Sequence, residues 1–170
     1  MIKYKAAVIG LGKIGLGYDY DYEKNNFSIT HSSAFNNHPS YELVGSVDSD
    51  KNKRILFEKK YKINTYASID DLIKNTDLDI LAISVPTDLH YKIFMKAINY
   101  NIKAILCEKP FSNNLFDAKK MTNAATKTKI IVNYIRRFNK ATIKLKKEIN
   151  NGIIGAINSG KIWYSNGLLN

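Results

Sequence analysis

The chain alternates between short, almost continuously apolar runs and longer segments in which apolar residues recur every three or four positions. Short apolar runs are typical of strands buried on both faces, and the longer spacing is typical of helices with one buried side. The runs predict strands over residues 5–9, 41–47, 79–85, 103–107, 129–133 and 156–164. The longer spacing predicts helices over residues 51–61, 69–75, 89–99, 115–126 and 139–150.

Strands of this kind, alternating with helices, predict an α/β fold with a Rossmann-type doubly wound parallel sheet. With 170 residues, the chain has the length of one domain or slightly more. Ligands of such sheets bind at the carboxyl ends of the strands. The residues that directly follow each predicted strand are therefore the candidates for chemistry.

Three glycines follow the first strand in the pattern Gly10-x-Gly12-x-x-Gly15. Gly10 permits a tight turn, Gly12 lets the backbone approach a pyrophosphate, and Gly15 lets the next helix pack closely on the strand. The N–H groups at the start of that helix then face the phosphates. The pattern predicts a dinucleotide site at the end of the first strand.

Asp48 ends the second strand, where an acidic residue typically binds the ribose hydroxyls of NAD and repels the 2′-phosphate of NADP. It favours NAD, but the neighbouring Ser49 leaves NADP possible. The alternative is that Asp48 only caps the following helix. Asp48 also lies 33 residues after Gly15, whereas the usual distance is about 20 residues.

The additional length lies in residues 16–30, LGYDYDYEKNNFSIT, which are rich in Tyr, Asp and Asn. We interpret them as a loop inserted before the main part of the first helix, which resumes near residues 31–37. The loop is either a flap over the cofactor or substrate or a solvated loop, and the sequence favours neither.

Two further strand ends carry candidate residues. Ser84, Pro86 and Thr87 lie at the carboxyl end of the third apolar run, with His90 in the first turn of the next helix as a cofactor contact or a packing residue. Glu108-Lys109-Pro110 follows the next run. A charged pair at a buried strand's end is costly unless it is solvated or used, and a lysine there can polarise a hydroxyl or act as a base. The alternative is an ordinary surface lysine.

Composition excludes several classes of protein. The single cysteine, Cys107, rules out an intrachain disulfide, so a reducing, cytoplasmic location is expected. No run approaches 18 apolar residues, so we expect no membrane segment. We also expect no metal site.

The net charge of +11 is concentrated in residues 101–170, which hold 13 Lys and Arg but only three Asp and Glu. A polyanion-binding surface is one interpretation. A lysine-rich solvated surface is favoured, because only three arginines are present and nucleic-acid surfaces usually carry more. We therefore expect no nucleic-acid partner.

Taken together, these motifs resemble the Gfo/Idh/MocA family, which includes glucose–fructose oxidoreductase and inositol dehydrogenase. The resemblance covers nearly the whole chain and rests on VIGLGKIG, VDSD, SVPTDLHYKIFMKAINYNIKAILCEKP, VNYIRRFNK and INNGIIGAI. It implies an NAD(P)-dependent oxidoreductase of sugars, polyols or nucleotide sugars. Hydride would move between a substrate carbinol carbon and C4 of the nicotinamide.

The resemblance also implies residue roles, with Lys109 as the catalytic lysine beside the substrate hydroxyl and Glu108 on the nicotinamide side. Relatives often have a cis bond before the corresponding proline, here Pro110. Cofactor binding is assigned to Gly10, Gly12, Lys13, Ile14, Gly15, Asp48, Ser84, Pro86, Thr87, His90, Glu108 and Arg137, and substrate binding to Tyr134 and Arg136.

Members of the family are longer than this chain and carry a histidine and an aspartate of the site on a second, mostly antiparallel domain. Here residues 1–134 match the dinucleotide-binding domain, and residues 135–170 match only the first helix and strand of an α+β second domain. We therefore expect a truncated form that binds cofactor with little activity, and a homo-oligomer at full length. The alternative is a non-catalytic NAD(P)-binding or scaffold protein of the same fold.

Overall fold

The computed structural model describes residues 3–22 and 28–163. The chain separates into two compact units, Met1–Asn133 and Tyr134–Asn170. Within the described residues, no helix is both long and apolar enough to cross a membrane.

The first unit is built on a six-stranded parallel sheet with the strand order β3-β2-β1-β4-β5-β6. Its strands are β1 (Tyr4–Ile9), β2 (Tyr41–Val47), β3 (Thr65–Tyr66), β4 (Ile80–Ile83), β5 (Ala104–Cys107) and β6 (Lys129–Val132). Its helices are α1 (His31–Asn37), α2 (Lys51–Tyr61), α3 (Ile69–Asn75), α4 (His90–Ala97) and α5 (Leu115–Ala124). The predicted doubly wound sheet is confirmed. Of its six strands, only the two-residue β3 was not predicted, because it is too short for any periodicity.

Both faces of the central strands are buried, which explains their continuous apolar runs. Successive side chains of a strand point to opposite faces. Ala7 and Ile9 of β1 pack in one cluster with side chains of α3, α4 and α5. Ala6 and Val8 pack in a second cluster with Phe35 of α1 and with α2. The order of the strands reverses between β1 and β4, so the carboxyl ends of these two strands flank the crevice in which such sheets bind ligands.

The insertion interrupts a helix without breaking its hydrogen-bond ladder. Leu16 N donates to Gly12 O at 2.9 Å, in the first helical turn after the glycines. Beyond the insertion, His31 N donates to Ile14 O at 3.0 Å and Ser32 N to Gly15 O at 3.3 Å. These two bonds replace those that the N–H groups of residues 18 and 19 would make in an uninterrupted helix. The first helix therefore resumes at His31, as predicted.

A buried carboxylate closes the base of the inserted loop. Asp19 is only 4% exposed, and its Oδ1 accepts from Thr30 Oγ1 at 2.7 Å. Its Oδ2 accepts from Ile29 N at 2.8 Å, from Thr30 N at 3.0 Å and from the Ser33 hydroxyl. Burial by itself would raise the pKa of Asp19, but the hydrogen bonds from Ser33, Thr30 and Ile29 hold it below its usual value. Asp19 thus joins the two ends of the loop.

The second unit begins with a 3₁₀ turn over Ile135–Phe138, followed by α6 (Lys140–Asn150). The Asn139 side chain caps α6 by accepting from Ala141 N at 2.9 Å. The predicted strand over 156–164 is wrong for residues 156–163, which form no strand, and Tyr164 lies outside the described residues. A strand requires hydrogen bonds to a neighbouring strand, and the described part of this unit contains none to pair with.

We expect Asp19→Asn to lower the free energy of unfolding by about 2 kcal/mol, because an amide cannot replace a charged acceptor of several hydrogen bonds. The pKa of Asp19 is lowered by folding, so its contribution should be complete well above the ordinary value of 3.8 and lost as the pH falls below it. Urea denaturation between pH 3 and 7 measures this. Asp21→Asn, at an exposed position of the same loop, is the control. Equal effects of the two substitutions would show that Asp19 does not close the loop.

Candidate functional site

The glycine turn after β1 lies at the carboxyl edge of the sheet. Gly10 has a φ of +93°, and a Cβ there would lie 2.6 Å from Ser84 O. A Cβ at Gly15 would lie 1.9 Å from Gly10 O, so these two glycines are required by the packing of the protein itself. A Cβ at Gly12 would have no atom within 4 Å. The room at Gly12 is therefore available to a ligand.

Ser84 supports this turn from the neighbouring strand. It directly follows β4, and its Oγ lies 2.8 Å from Gly10 O and 3.0 Å from Ile9 O. Its backbone N also donates to Ile9 O at 2.8 Å. The end of β4 thus holds the end of β1 in position.

A cavity of about 630 Å³ opens between the glycine turn, the end of β2 and the start of α4. Five of the predicted site residues line it, namely Gly10, Gly12, Asp48, Ser84 and Pro86. The cavity wall also contains lysines that were not predicted from the sequence, Lys53 of α2 and Lys92 and Lys96 of α4. The four-residue spacing of the α4 pair, on the helix that follows SVPT, is the signal that indicates them. The positive charge of Lys53 and Lys92 suits a phosphate-bearing ligand, whereas Lys96 forms an ion pair with Asp70.

Asp48 belongs to the glycine turn and does not cap α2. Its Oδ2 accepts from Leu11 N at 2.7 Å and its Oδ1 from Asp50 N at 2.8 Å. The cap of α2 is Asp50, whose carboxylate accepts from Asn52 N at 2.8 Å. The alternative of Asp48 as a helix cap is therefore wrong, because the residue two positions later takes that role.

A cluster of polar groups surrounds Glu108, directly after β5. Glu108 Oε1 lies 2.9 Å from His31 Nε2 and accepts from Asn133 Nδ2 at 2.6 Å. Burial by itself would raise the pKa of Glu108, but the hydrogen bonds from His31 and Asn133 hold it below its usual value. Glu108 is therefore an ionised carboxylate at neutral pH. Neither partner was predicted from the sequence, although His31 begins the resumed helix and Asn133 follows a strand end.

Lys109 follows Glu108, and the bond between Lys109 and Pro110 is cis, as the resemblance implies. The Lys109 side chain is exposed, in contrast to the half-buried Glu108 beside it. The pair therefore presents a held carboxylate and an accessible ammonium group at the same strand end.

Residues 4–135 match the model of an oxidoreductase family with an NAD-binding Rossmann fold. The chain belongs to the Gfo/Idh/MocA oxidoreductase family. It carries the NAD-binding domain of that family. The resemblance of the motifs at the strand ends is thereby confirmed at the level of the family and the cofactor.

Two curated relatives and one solved structure illustrate the likeness. Inositol 2-dehydrogenase of Salmonella paratyphi B is 26% identical over 156 residues, covering 89% of this chain and 43% of the relative. Myo-inositol 2-dehydrogenase of Thermotoga maritima is 27% identical over 153 residues, covering 89% and 42%. The WlbA dehydrogenase of Bordetella pertussis, in complex with NADH and UDP-GlcNAcA, has a TM-score of 0.75, 21% identity and coverage of 89% and 40%. The chain thus spans less than half the length of the curated relatives it matches.

The remaining predicted site residues of this Gfo/Idh/MocA chain differ in burial and in the unit to which they belong. His90 is 1% exposed, with Nε2 3.0 Å from Val85 O and Nδ1 3.0 Å from Pro110 O. Its ring therefore bridges the loops after β4 and β5. Lys13 is exposed, Ile14 and Thr87 are half-buried, and Tyr134, Arg136 and Arg137 belong to the second unit. Their contacts with cofactor or substrate stay predictions.

No group of three or more His, Cys, Asp or Glu side chains able to hold a metal ion occurs among residues 3–22 and 28–163. The thiol of Cys107 is fully buried within β5, where burial raises its pKa to about 12. It is therefore not a nucleophile at neutral pH.

Substitutions in the glycine turn should distinguish a position filled by the protein's own packing from a position that is open to a ligand. We expect Gly15→Ala to lower the free energy of unfolding by about 3 kcal/mol, because its Cβ collides with a backbone oxygen that cannot move freely. Gly12→Ala should leave it within about 0.5 kcal/mol, because the position is open. Urea denaturation of both variants measures the difference, and equal losses would contradict this account of the turn.

Proposed function

We propose that this chain forms the cofactor half of an NAD-dependent oxidoreductase acting on the hydroxyl or carbonyl carbon of a sugar, polyol or nucleotide sugar. The observation that carries the proposal is the open position at Gly12, in a cavity that also contains Asp48 and is flanked by lysines. The strand end with Glu108 and Lys109 supplies the charged pair for the reacting end of the cofactor.

The residues present fit NAD at the glycine turn. Gly12 leaves room for a pyrophosphate, and Asp48, with a carboxylate in the cavity wall, would bind the adenosine ribose. Glu108 would contact the nicotinamide, and the bound nicotinamide ring would accept or donate the hydride. The carboxylate of Asp48 favours NAD over NADP, because it would repel a 2′-phosphate.

Lys109 is the proposed catalytic residue. Its exposed ammonium group would hold the substrate oxygen and exchange its proton as the carbinol and carbonyl forms interconvert. The two buried histidines of the first unit are engaged elsewhere, His31 by Glu108 and His90 by backbone carbonyls. Of these three side chains, Lys109 is therefore the accessible one suited to proton transfer.

A second candidate is a domain that binds NAD without turning over a substrate. The observation that favours it is the same engagement of His31 and His90, which leaves Lys109 without a histidine partner among the described residues of this unit. A chain that binds NADH and oxidises or reduces no member of a broad polyol and nucleotide-sugar panel would support this alternative.

Cofactor binding is the direct test of the proposal. We expect calorimetric titration to detect NADH binding, with NADPH at least about tenfold weaker because of Asp48. Gly12→Ala should weaken NADH binding at least about tenfold, because its methyl group occupies the space for the pyrophosphate. Gly17→Ala is the matched control, since a Cβ there meets only ordinary contacts with Gly12, at 3.7 Å. The absence of NADH binding at millimolar concentration would refute the proposal.

The role of Lys109 is tested on turnover. In a form of this protein that reduces NAD⁺ with a polyol or sugar substrate, we expect Lys109→Ala to lower kcat about 10²–10⁴-fold. Losses of this size are usual when a general acid–base group is removed. NADH affinity should change less than about twofold. The exposed Lys119 of α5 provides the control substitution, Lys119→Ala. Unchanged turnover in Lys109→Ala would remove this lysine from the mechanism.

A further inference from the structure

His31 connects the glycine turn with the strand end that carries Glu108. It is the first residue of α1, and its backbone N donates to Ile14 O at 3.0 Å. The next residue, Ser32, donates from Oγ to Gly15 O at 2.6 Å. The start of α1 is therefore bound to the turn on which the pyrophosphate is proposed to lie, even though 15 residues separate Gly15 from His31 in sequence.

The side chain of His31 reaches in the other direction, to β5. Its Nε2 lies 2.9 Å from Glu108 Oε1, and the two side chains are only 8% and 11% exposed. An ionised carboxylate only accepts hydrogen bonds, so Nε2 carries the hydrogen. A hydrogen bond to a charged group, shielded from water, restricts the carboxylate far more than an exposed bond would.

The two oxygens of Glu108 are in different situations. Oε1 accepts from both His31 and Asn133, at 2.9 and 2.6 Å. Within the described part of the chain, Oε2 receives only a long bond of 3.3 Å from Lys109 N. The carboxylate is thus held by one oxygen, and the other oxygen keeps capacity for an external donor.

We propose that His31 is a positioning residue, which fixes the Glu108 carboxylate so that Oε2 accepts a hydrogen bond from the amide N–H of the nicotinamide carboxamide. This inference rests on the proposed function. It assigns His31 to the coupling of two cofactor contacts, the pyrophosphate at the glycine turn and the nicotinamide at Glu108. The closure of the inserted loop by Asp19 and Thr30 brings His31 to the place where both contacts are within its reach.

The test compares NADH with ADP-ribose, which lacks the nicotinamide but retains the pyrophosphate and the adenosine. We expect the wild-type chain to bind NADH more tightly than ADP-ribose in calorimetry. His31→Ala should weaken NADH at least about tenfold and ADP-ribose less than about twofold. His31→Gln, which keeps a side-chain N–H donor, should recover most of the NADH affinity. His38→Ala, at the exposed C-terminal end of α1, is the matched control and should change neither affinity.

A second measurement requires no ligand. Titration of the Glu108 carboxyl carbon by NMR should show a higher pKa in His31→Ala than in the wild type, because burial remains while a hydrogen bond to the charged form is lost. Asn133→Ala should raise the pKa of Glu108 in the same way. If His31→Ala does not fold, Asn133→Ala still tests whether the donors to Oε1 hold the Glu108 carboxylate.

The outcomes separate this inference from the proposed function. If the wild type binds neither NADH nor ADP-ribose, the proposed function fails and the inference fails with it. If both ligands bind and His31→Ala weakens them by the same factor, His31 has only a structural role and the inference alone is overturned. An unchanged pKa of Glu108 in His31→Ala and Asn133→Ala would overturn it as well.

Discussion

The close approach of the chain to itself at the glycine turn is the constraint on which the rest of the site depends. A carbon atom added at Gly15 would lie 1.9 Å from Gly10 O, which is well inside any allowed contact. The first helical turn can therefore start directly against β1 only with glycine at this position. That contact brings Ile14 and Gly15 to the place where they receive the backbone bonds of His31 and Ser32. The end of β1, the glycine turn and the start of α1 thus meet at one place.

The inserted loop shows how a helix accommodates additional residues at such a junction. His31 N and Ser32 N donate to Ile14 O and Gly15 O, so backbone hydrogen bonds join the turn before the insertion directly to α1. A buried carboxylate with several donors holds the loop's two ends together, and Lys60 of α2 donates to Tyr20 O at 2.7 Å nearby. The cost of closing a loop grows slowly with its length, so a few strong bonds at its base are enough to maintain the fold. The base of the described part of the loop is therefore held by hydrogen bonds to α1 and α2.

Positively and negatively charged side chains lie at different places along the carboxyl edge of the sheet. Three lysines line the cavity beside the glycine turn, and the ionised Glu108 lies after β5. Negative phosphates suit the first region, and an amide donor suits the second. Asp48 adds a second acceptor group at the end of β2, bound to Leu11 N. Along the edge, Asp48 after β2, the glycine turn after β1 and Glu108 after β5 follow one another in the order of ribose, pyrophosphate and nicotinamide in the proposed dinucleotide.

The sequence by itself determined the alternation of strands and helices, the glycine turn, the charged pair at residues 108–109 and the point where the first helix resumes. These features are local, because periodicity and glycine spacing are set by neighbours in the chain. The tertiary structure alone decided which acid caps α2, which groups hold Glu108 and which lysines line the cavity. His31 and Glu108 are 77 residues apart, and their contact exists only because β5 and α1 meet at one edge of the sheet. The strand predicted over 156–164 is wrong for residues 156–163, since apolar residues form a strand only where a neighbouring strand accepts and donates the backbone hydrogen bonds.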